Sequence, residues 1–230
     1  MNVNSRSHLP ERFDTPFARV ARGYAVLLGP SQKGINEVQL ALEDFQWAAD
    51  KGYVLAYEGI AMAAGRADRR KGMEWLKKAI EGGMSPAAHY LTDHRSPGRE
   101  ILSQEDYLVY ACIAAHPAAI ESTDFLREVW DSPKHGIPAP EALSRLFQEA
   151  LRKRAEKKRE IFAKVCAAND PFFWNAPPAA VQKKQEQVRK RLAQTLGNIK
   201  QQIGRYPELR WFSSPDQSDF DLLPTFKPKQ

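Results

Sequence analysis

Apolar positions in this chain return every three or four residues over long stretches, and runs that alternate apolar and polar are scarce. The pattern predicts helices almost throughout. A first helix is expected over 13–28, with Pro16 tolerable in its opening turn and Gly29-Pro30-Ser31 as its end. A second, over 36–50, puts Leu40, Ala41, Phe45, Ala48 and Ala49 on its apolar side and closes at Gly52. Three more are expected over 54–64, 70–81 and 86–92, punctuated by Gly65, Gly82-Gly83 and Pro86. A polar turn around Pro97-Gly98 separates these from a helix over 104–116, with Tyr107, Leu108, Ala111, Cys112 and Ala115 inward. Ser103 is its expected N-cap, with Asp106 three residues on. Another helix is expected over 117–130. Three prolines and Gly136 then mark 131–140 as a loop or domain boundary.

The last third has longer periods. One helix is expected over 140–168, where Leu143, Leu146, Phe147, Ala150, Leu151, Ala155, Phe162 and Val165 recur at helical steps. A second, over 179–203, carries Val181, Val188, Leu192, Leu196, Ile199 and Ile203. Between them lie Phe172, Phe173 and Trp174 with flanking prolines, so the pair reads as an antiparallel hairpin with an aromatic tip. Residues after Gly204 hold Pro207, Pro215, Pro224 and Pro228 and read as an extended tail. Leu209, Trp211, Phe212, Phe220 and Leu222 are its expected packing residues. The expected organisation is a helical repeat domain over 1–130, a linker over 131–140, a basic helical hairpin over 141–205 and a proline-containing tail over 206–230.

The repeat domain earns its name from an internal match. The run from Phe45 through Ala48, Gly52 and Ala56 aligns with the run from Leu76 through Ala79, Gly83 and Ala87. The shared skeleton is an apolar residue, a buried-type alanine, a helix-ending glycine and a second alanine four residues later. Small alanines let successive helices approach, and a helix pair that cannot bury its own face stacks on its neighbours. The stretch Trp75-Leu76-Lys77-Lys78-Ala79-Ile80-Glu81-Gly82-Gly83, with Ala56 and Ile60, resembles the Sel1-like repeats, relatives of tetratricopeptide repeats. The likeness covers about residues 41–91. It departs from the family in its shorter period, in the reduced loop Gly65-Arg66-Ala67-Asp68, and at Ala61 and Thr92, where the family favours glycine. The resemblance implies an all-α superhelix that binds protein segments, an adaptor with no catalytic residues to carry over. Similar bacterial proteins include secretion-linked factors and immunity proteins against toxins. An unrelated alanine-rich bundle is the alternative reading.

Charge changes the picture of the last third. The chain carries a net charge of +6. Residues 1–150 hold 17 basic and 20 acidic residues, while 152–205 hold 14 basic and 4 acidic. Such asymmetry points to an anionic partner such as nucleic acid, or to a solvated polar face. The candidate anion-binding residues are Arg152, Arg154, Lys158, Arg159, Lys183, Lys184, Arg189 and Arg191. For a protein partner the candidates are Trp47, Tyr53, Tyr57 and Tyr90, with Phe172, Phe173 and Trp174 as anchors at the hairpin tip. The same three tip rings can instead stack on bases or clamp the turn onto the protein. Val188, Leu192, Leu196 and Ile199 form a seam through which the hairpin can self-associate.

Motifs for catalysis are weak. Gly29 and Gly34 have P-loop spacing, but Ile35-Asn36 stand where Lys and Ser/Thr are needed. Cys112 and His116 share a helix face, as a thiolate–imidazole pair would, in alanine-rich surroundings that suit a core. His89, Asp93 and His94 are spaced too awkwardly to share a metal. With two cysteines in all, a disulfide scaffold or a cysteine zinc cluster is excluded. The expectation is a non-enzymatic protein with no cofactor and no metal. No apolar run reaches membrane-span length, and charged residues interrupt the first 25 positions, so a cytoplasmic location is expected.

Overall fold

The structure is a computed structural model that describes residues 14–28, 36–65, 68–93, 102–121, 140–167, 177–213 and 216–226. All regular structure among the described residues is helical. The α-helices are α1 (Pro16–Leu28), α2 (Glu37–Asp50), α3 (Leu55–Gly65), α4 (Arg69–Glu81), α5 (Ser85–Thr92), α6 (Gln104–Ala115), α7 (Pro140–Ala167) and α8 (Pro178–Arg205). Two short 3-10 helices follow, Pro207–Phe212 and Gln217–Asp221. The chain divides into two compact units, Met1–Leu76 with Asp124–Pro138, and Lys77–Thr123 with Ala139–Gln230. The division therefore falls inside α4, while residues 131–139 of the expected linker lie outside the described residues.

Helix starts are set by side chains that accept from otherwise orphaned N–H groups. Thr15 Oγ1 accepts from Ala18 N–H at 3.2 Å and Asn36 Oδ1 from Gln39 N–H at 3.2 Å. Asp68 Oδ1 accepts from Arg70 N–H at 2.9 Å. Ser103 Oγ accepts from Asp106 N–H at 3.0 Å, at the cap expected from sequence.

In the first unit α2 packs against both α1 and α3. Phe45 of α2 is fully buried, and its ring lies over Gly23 of α1 and Gly59 of α3. A Cβ at Gly23 would stand 2.6 Å from the ring, and one at Gly59 2.5 Å. The absent side chains are what lets a phenyl ring sit between two helices, edge-on to Tyr24 at 5.0 Å between centroids. Asp44, also buried, takes a bidentate pair from Arg22 and a third bond from Arg19 at 3.2 Å, which neutralises its charge.

In the second unit α6 is central, packing on α5, α7 and α8. Residues 117–120 correct an expectation: they form a turn and a short parallel bridge, where a helix was expected from 117. His116 N–H still closes the helix on Ile113 O, but Ile120 N–H then donates to Gly83 O at 2.8 Å and Ile120 O accepts from Ser85 N–H at 2.9 Å. Those pairings use the groups a helix would need. The rest of that expected helix lies outside the described residues. The final segment also departs from an extended tail. Pro207 opens one 3-10 helix, and Asp216, accepting from Ser218 N–H at 2.9 Å, opens the other. Leu209, Phe212 and Phe220 are buried there, whereas Leu222 is 37% exposed.

The sequence repeat has a structural counterpart at its two corners. After α2, Gly52 N–H donates to Ala49 O at 2.8 Å and Tyr53 N–H to Ala48 O at 3.0 Å. After α4, Gly83 N–H donates to Ile80 O at 2.8 Å and Met84 N–H to Ala79 O at 3.0 Å. Both glycines have positive φ, 75° and 92°, the left-handed conformation that closes a helix in this bonding pattern. Ala48, Ala79, Ala56 and Ala87 are all fully buried.

Candidate binding surface

The basic run of 152–205 is distributed by the two helices that carry it. Lys158 on α7 is half-buried. Its ammonium contacts Glu121 and donates to Ser85 Oγ at 2.7 Å, and Ser85 Oγ in turn donates to Ala114 O at 2.9 Å. Burial pulls the Lys158 pKa down, against the raising pull of Glu121. Arg154 reaches the same Glu121 at 3.3 Å. Arg159 holds buried Asp219 through two bonds of 2.7 and 2.6 Å and reaches Asp216 at 3.4 Å. Arg191 on α8 holds Glu105 at 3.3 Å and Asp106 at 2.8 Å. These four cations tie their helices to acidic residues of the same unit, so they position structure before they can meet an outside anion.

Arg152, Lys183 and Arg189 point to solvent, Lys184 is half-buried, and none of the four makes an ion pair with a described residue. On α8, Lys183, Arg189 and Lys190 form an exposed basic patch near the start of the helix, interrupted by Glu186. Placement of the aromatic candidates is equally uneven. Tyr53 is 0% exposed, because it follows the Gly52 corner directly and turns into the core. Trp47 is half-buried between two cations, with the Arg19 guanidinium 4.8 Å and the Lys51 ammonium 4.4 Å from its ring. Tyr57 rests on Trp75 at 5.7 Å. Tyr90 is 55% exposed on α5. Phe172, Phe173 and Trp174 lie outside the described residues. Val188, Leu192, Leu196 and Ile199 are buried within the second unit, so the expected self-association seam is spent on the core.

A cleft of about 240 Å³ opens between the end of α4, α6 and α8. Ile80, Val109 and Ile113 make its apolar side, and Arg191, Gln194 and Asn198 its polar side. Tyr110 also lines it, and burial, with Asp106 adding, pushes that phenol up to about 12. Tyr110 therefore keeps its proton at neutral pH. No sequence signal singled out this cleft, because its wall joins residues from three separated helices.

The Cys112–His116 pair of the sequence does not meet as a dyad. His116 Nδ1 accepts from Ala118 N–H at 3.1 Å and Nε2 donates to Leu222 O at 3.0 Å, so both ring nitrogens are engaged. Its ring stands edge-on to Phe162 at 4.8 Å. Burial lowers its pKa to about 4, although the Leu222 carbonyl pulls the other way. No group of three or more His, Cys, Asp or Glu that could hold a metal occurs among the described residues. None of the helices is long and apolar enough to cross a membrane, again among the described residues. Comparison with protein-family models, curated proteins and solved structures finds no match.

Proposed function

We propose that this chain is a non-enzymatic protein–protein interaction scaffold, an adaptor built on Sel1-like helical repeats that stack as a superhelix. The observation that carries this reading is the recurrence of one helix corner, with the same two hydrogen bonds and the same left-handed glycine, at Gly52 and Gly83. Repeated corners of this kind are the unit from which binding solenoids are made. Exposed Tyr90 and cation-flanked Trp47 supply side chains of the type that dominate interface energies. Within this class, the repeat resemblance favours a secretion-linked or toxin-immunity role. The test is affinity capture with the whole chain as bait, repeated with Trp47→Ala and Tyr90→Ala. The reading expects a stoichiometric protein partner that at least one variant loses. Recovery of no protein partner sinks it.

A second reading rests on the exposed Lys183, Arg189 and Lys190 patch: binding of nucleic-acid phosphates. It expects affinity for a short duplex to fall with salt at a log–log slope of about 3, roughly one unit per phosphate contact. Replacing the three cations by alanine would abolish that slope. Anisotropy that shows no binding at low salt would reject it.

A further inference from the structure

We propose that Cys112 and Cys166 form a redox pair that closes reversibly into a disulfide, stapling α6 to α7, when the protein meets a small hydroperoxide. They are the chain's only two cysteines, they come from different helices, and both are free and buried. The packing of α6 on α7 sets their register. His116 faces Phe162 at 4.8 Å, and farther along, Glu121 pairs with Lys158. One helical turn back along α6 from His116 is Cys112, and one turn on along α7 from Phe162 is Cys166. That register brings the two thiols together, and each shifts the other's proton affinity. The contact thus follows from the His116–Phe162 pair at the end of α6, and the Glu121–Lys158 pair beyond the helix continues the same antiparallel course.

Their surroundings also divide the roles. Its neighbour Cys166 and burial hold the proton on Cys112, while Cys112 lowers the pKa of Cys166 and so favours its thiolate. His116 takes no part, because both of its nitrogens are engaged elsewhere. Cys166 sits one residue before the end of α7 and is 5% exposed against 0% for Cys112, so it meets the oxidant first. Its thiolate attacks one peroxide oxygen. An S–O bond forms, the O–O bond breaks, and the leaving oxygen takes a proton to become water or, from an organic peroxide, an alcohol. The Cys112 sulfur then attacks the resulting sulfenic sulfur. The S–S bond forms, the S–O bond breaks, and the Cys112 proton leaves with the second water. Both sulfurs are oxidised by one electron each, and the peroxide accepts the two electrons.

The whole chain is treated with hydrogen peroxide, then alkylated and weighed intact. The expected result is the joint loss of both thiols, a mass lower by about two hydrogens, and a Cys112–Cys166 cross-linked peptide that dithiothreitol releases. Cys112→Ala is expected to stop at a sulfenic acid on Cys166 that dimedone traps, and Cys166→Ala to leave Cys112 unoxidised. Three results overturn the proposal: sulfinic or sulfonic acid on Cys166 with Cys112 still alkylatable, a disulfide between two chains, or both thiols surviving peroxide that oxidises them in the urea-unfolded chain. Oxidation of Cys112 in a folded Cys166→Ala variant overturns the assigned order.

Discussion

The corner after α2 and the corner after α4 share their backbone and differ in what surrounds them. Each ends a helix with a left-handed glycine and the same pair of hydrogen bonds, 31 residues apart. Gly52 is half-exposed, so its corner is a local turn. Gly83 is buried against Ile199 of α8, its carbonyl bonds Ile120, and Asn198 of α8 donates to Glu81 O at 2.8 Å just before it. The difference teaches that sequence-local chemistry suffices to make the turn, while tertiary packing decides how much the turn matters to stability.

The largest effect should come from placing a methyl group at the covered corner. Gly83→Ala suffers left-handed strain of about 1–2 kcal/mol. It also drives a methyl into Ile199, an overpacking cost of about 1–3 kcal/mol. Urea denaturation should show a loss of roughly 2–5 kcal/mol in total. Ile199→Ala makes room for that methyl, so in its background the same substitution should cost only about 1–2 kcal/mol. Equal costs in both backgrounds would show that the corner's strain is purely local and would dissolve the comparison.

Acid separates the two units next. His116 lies in the second unit, held between Ala118 N–H and Leu222 O, with Lys158 and Asp219 as its charged neighbours. Burial brings its folded pKa to about 4, while an unfolded histidine titrates near 6.5. As pH falls from about 6.5 the unfolded chain binds the proton first. Stability is therefore full above about 6.5, is lost towards pH 4, and levels off below; the total is about 3 kcal/mol. Hydrogen exchange should show the α6 amides losing protection over that window. The α2 amides around Asn36 and Asp44 should lose less. His116→Gln, stable or not, should flatten the profile between pH 6.5 and 4.

The same contrast explains what the sequence could reveal. Helix positions were readable from apolar spacing and caps, as at Ser103 and the Gly52 and Gly83 corners, because these depend on residues within a few positions. The turn at 117–120 was not readable, because it exists only through pairing of Ile120 with Gly83 and Ser85. Lys158, Arg159 and Arg191 looked like solvated cations because a helical pattern marks charge without naming its partner. The acidic Asp216, Asp219 and Asp221 after a basic helix were the signal that an internal partner existed. Tyr53 looked like a contact residue, yet its place directly after a corner glycine put it in the core. The Cys112–Cys166 meeting needed the register of two helices, and no local spacing supplies that.

A smaller effect is expected at the open corner. Gly52→Ala meets left-handed strain, so a loss of about 1–2 kcal/mol is expected, below that of Gly83→Ala. A larger loss would mean that something presses on Gly52 as Ile199 presses on Gly83.

The smallest effect isolates the bond from α8 to the covered corner. The last carbonyls of a helix lack intrahelical donors, and Asn198 Nδ2 supplies one to Glu81 O. This bond is exposed, so Asn198→Ala should cost only about 0.5–1 kcal/mol, with water replacing the amide. Asn198→Asp should cost more. At neutral pH its carboxylate cannot donate, and it sets a negative charge against the negative end of α4. The extra loss should shrink as pH falls below about 4 and the carboxyl regains a proton to donate. If alanine and aspartate at 198 destabilise equally at neutral pH, the amide contributes packing alone. The covered corner would then be held by Ile199 and the Gly83 bonds without help from a cap.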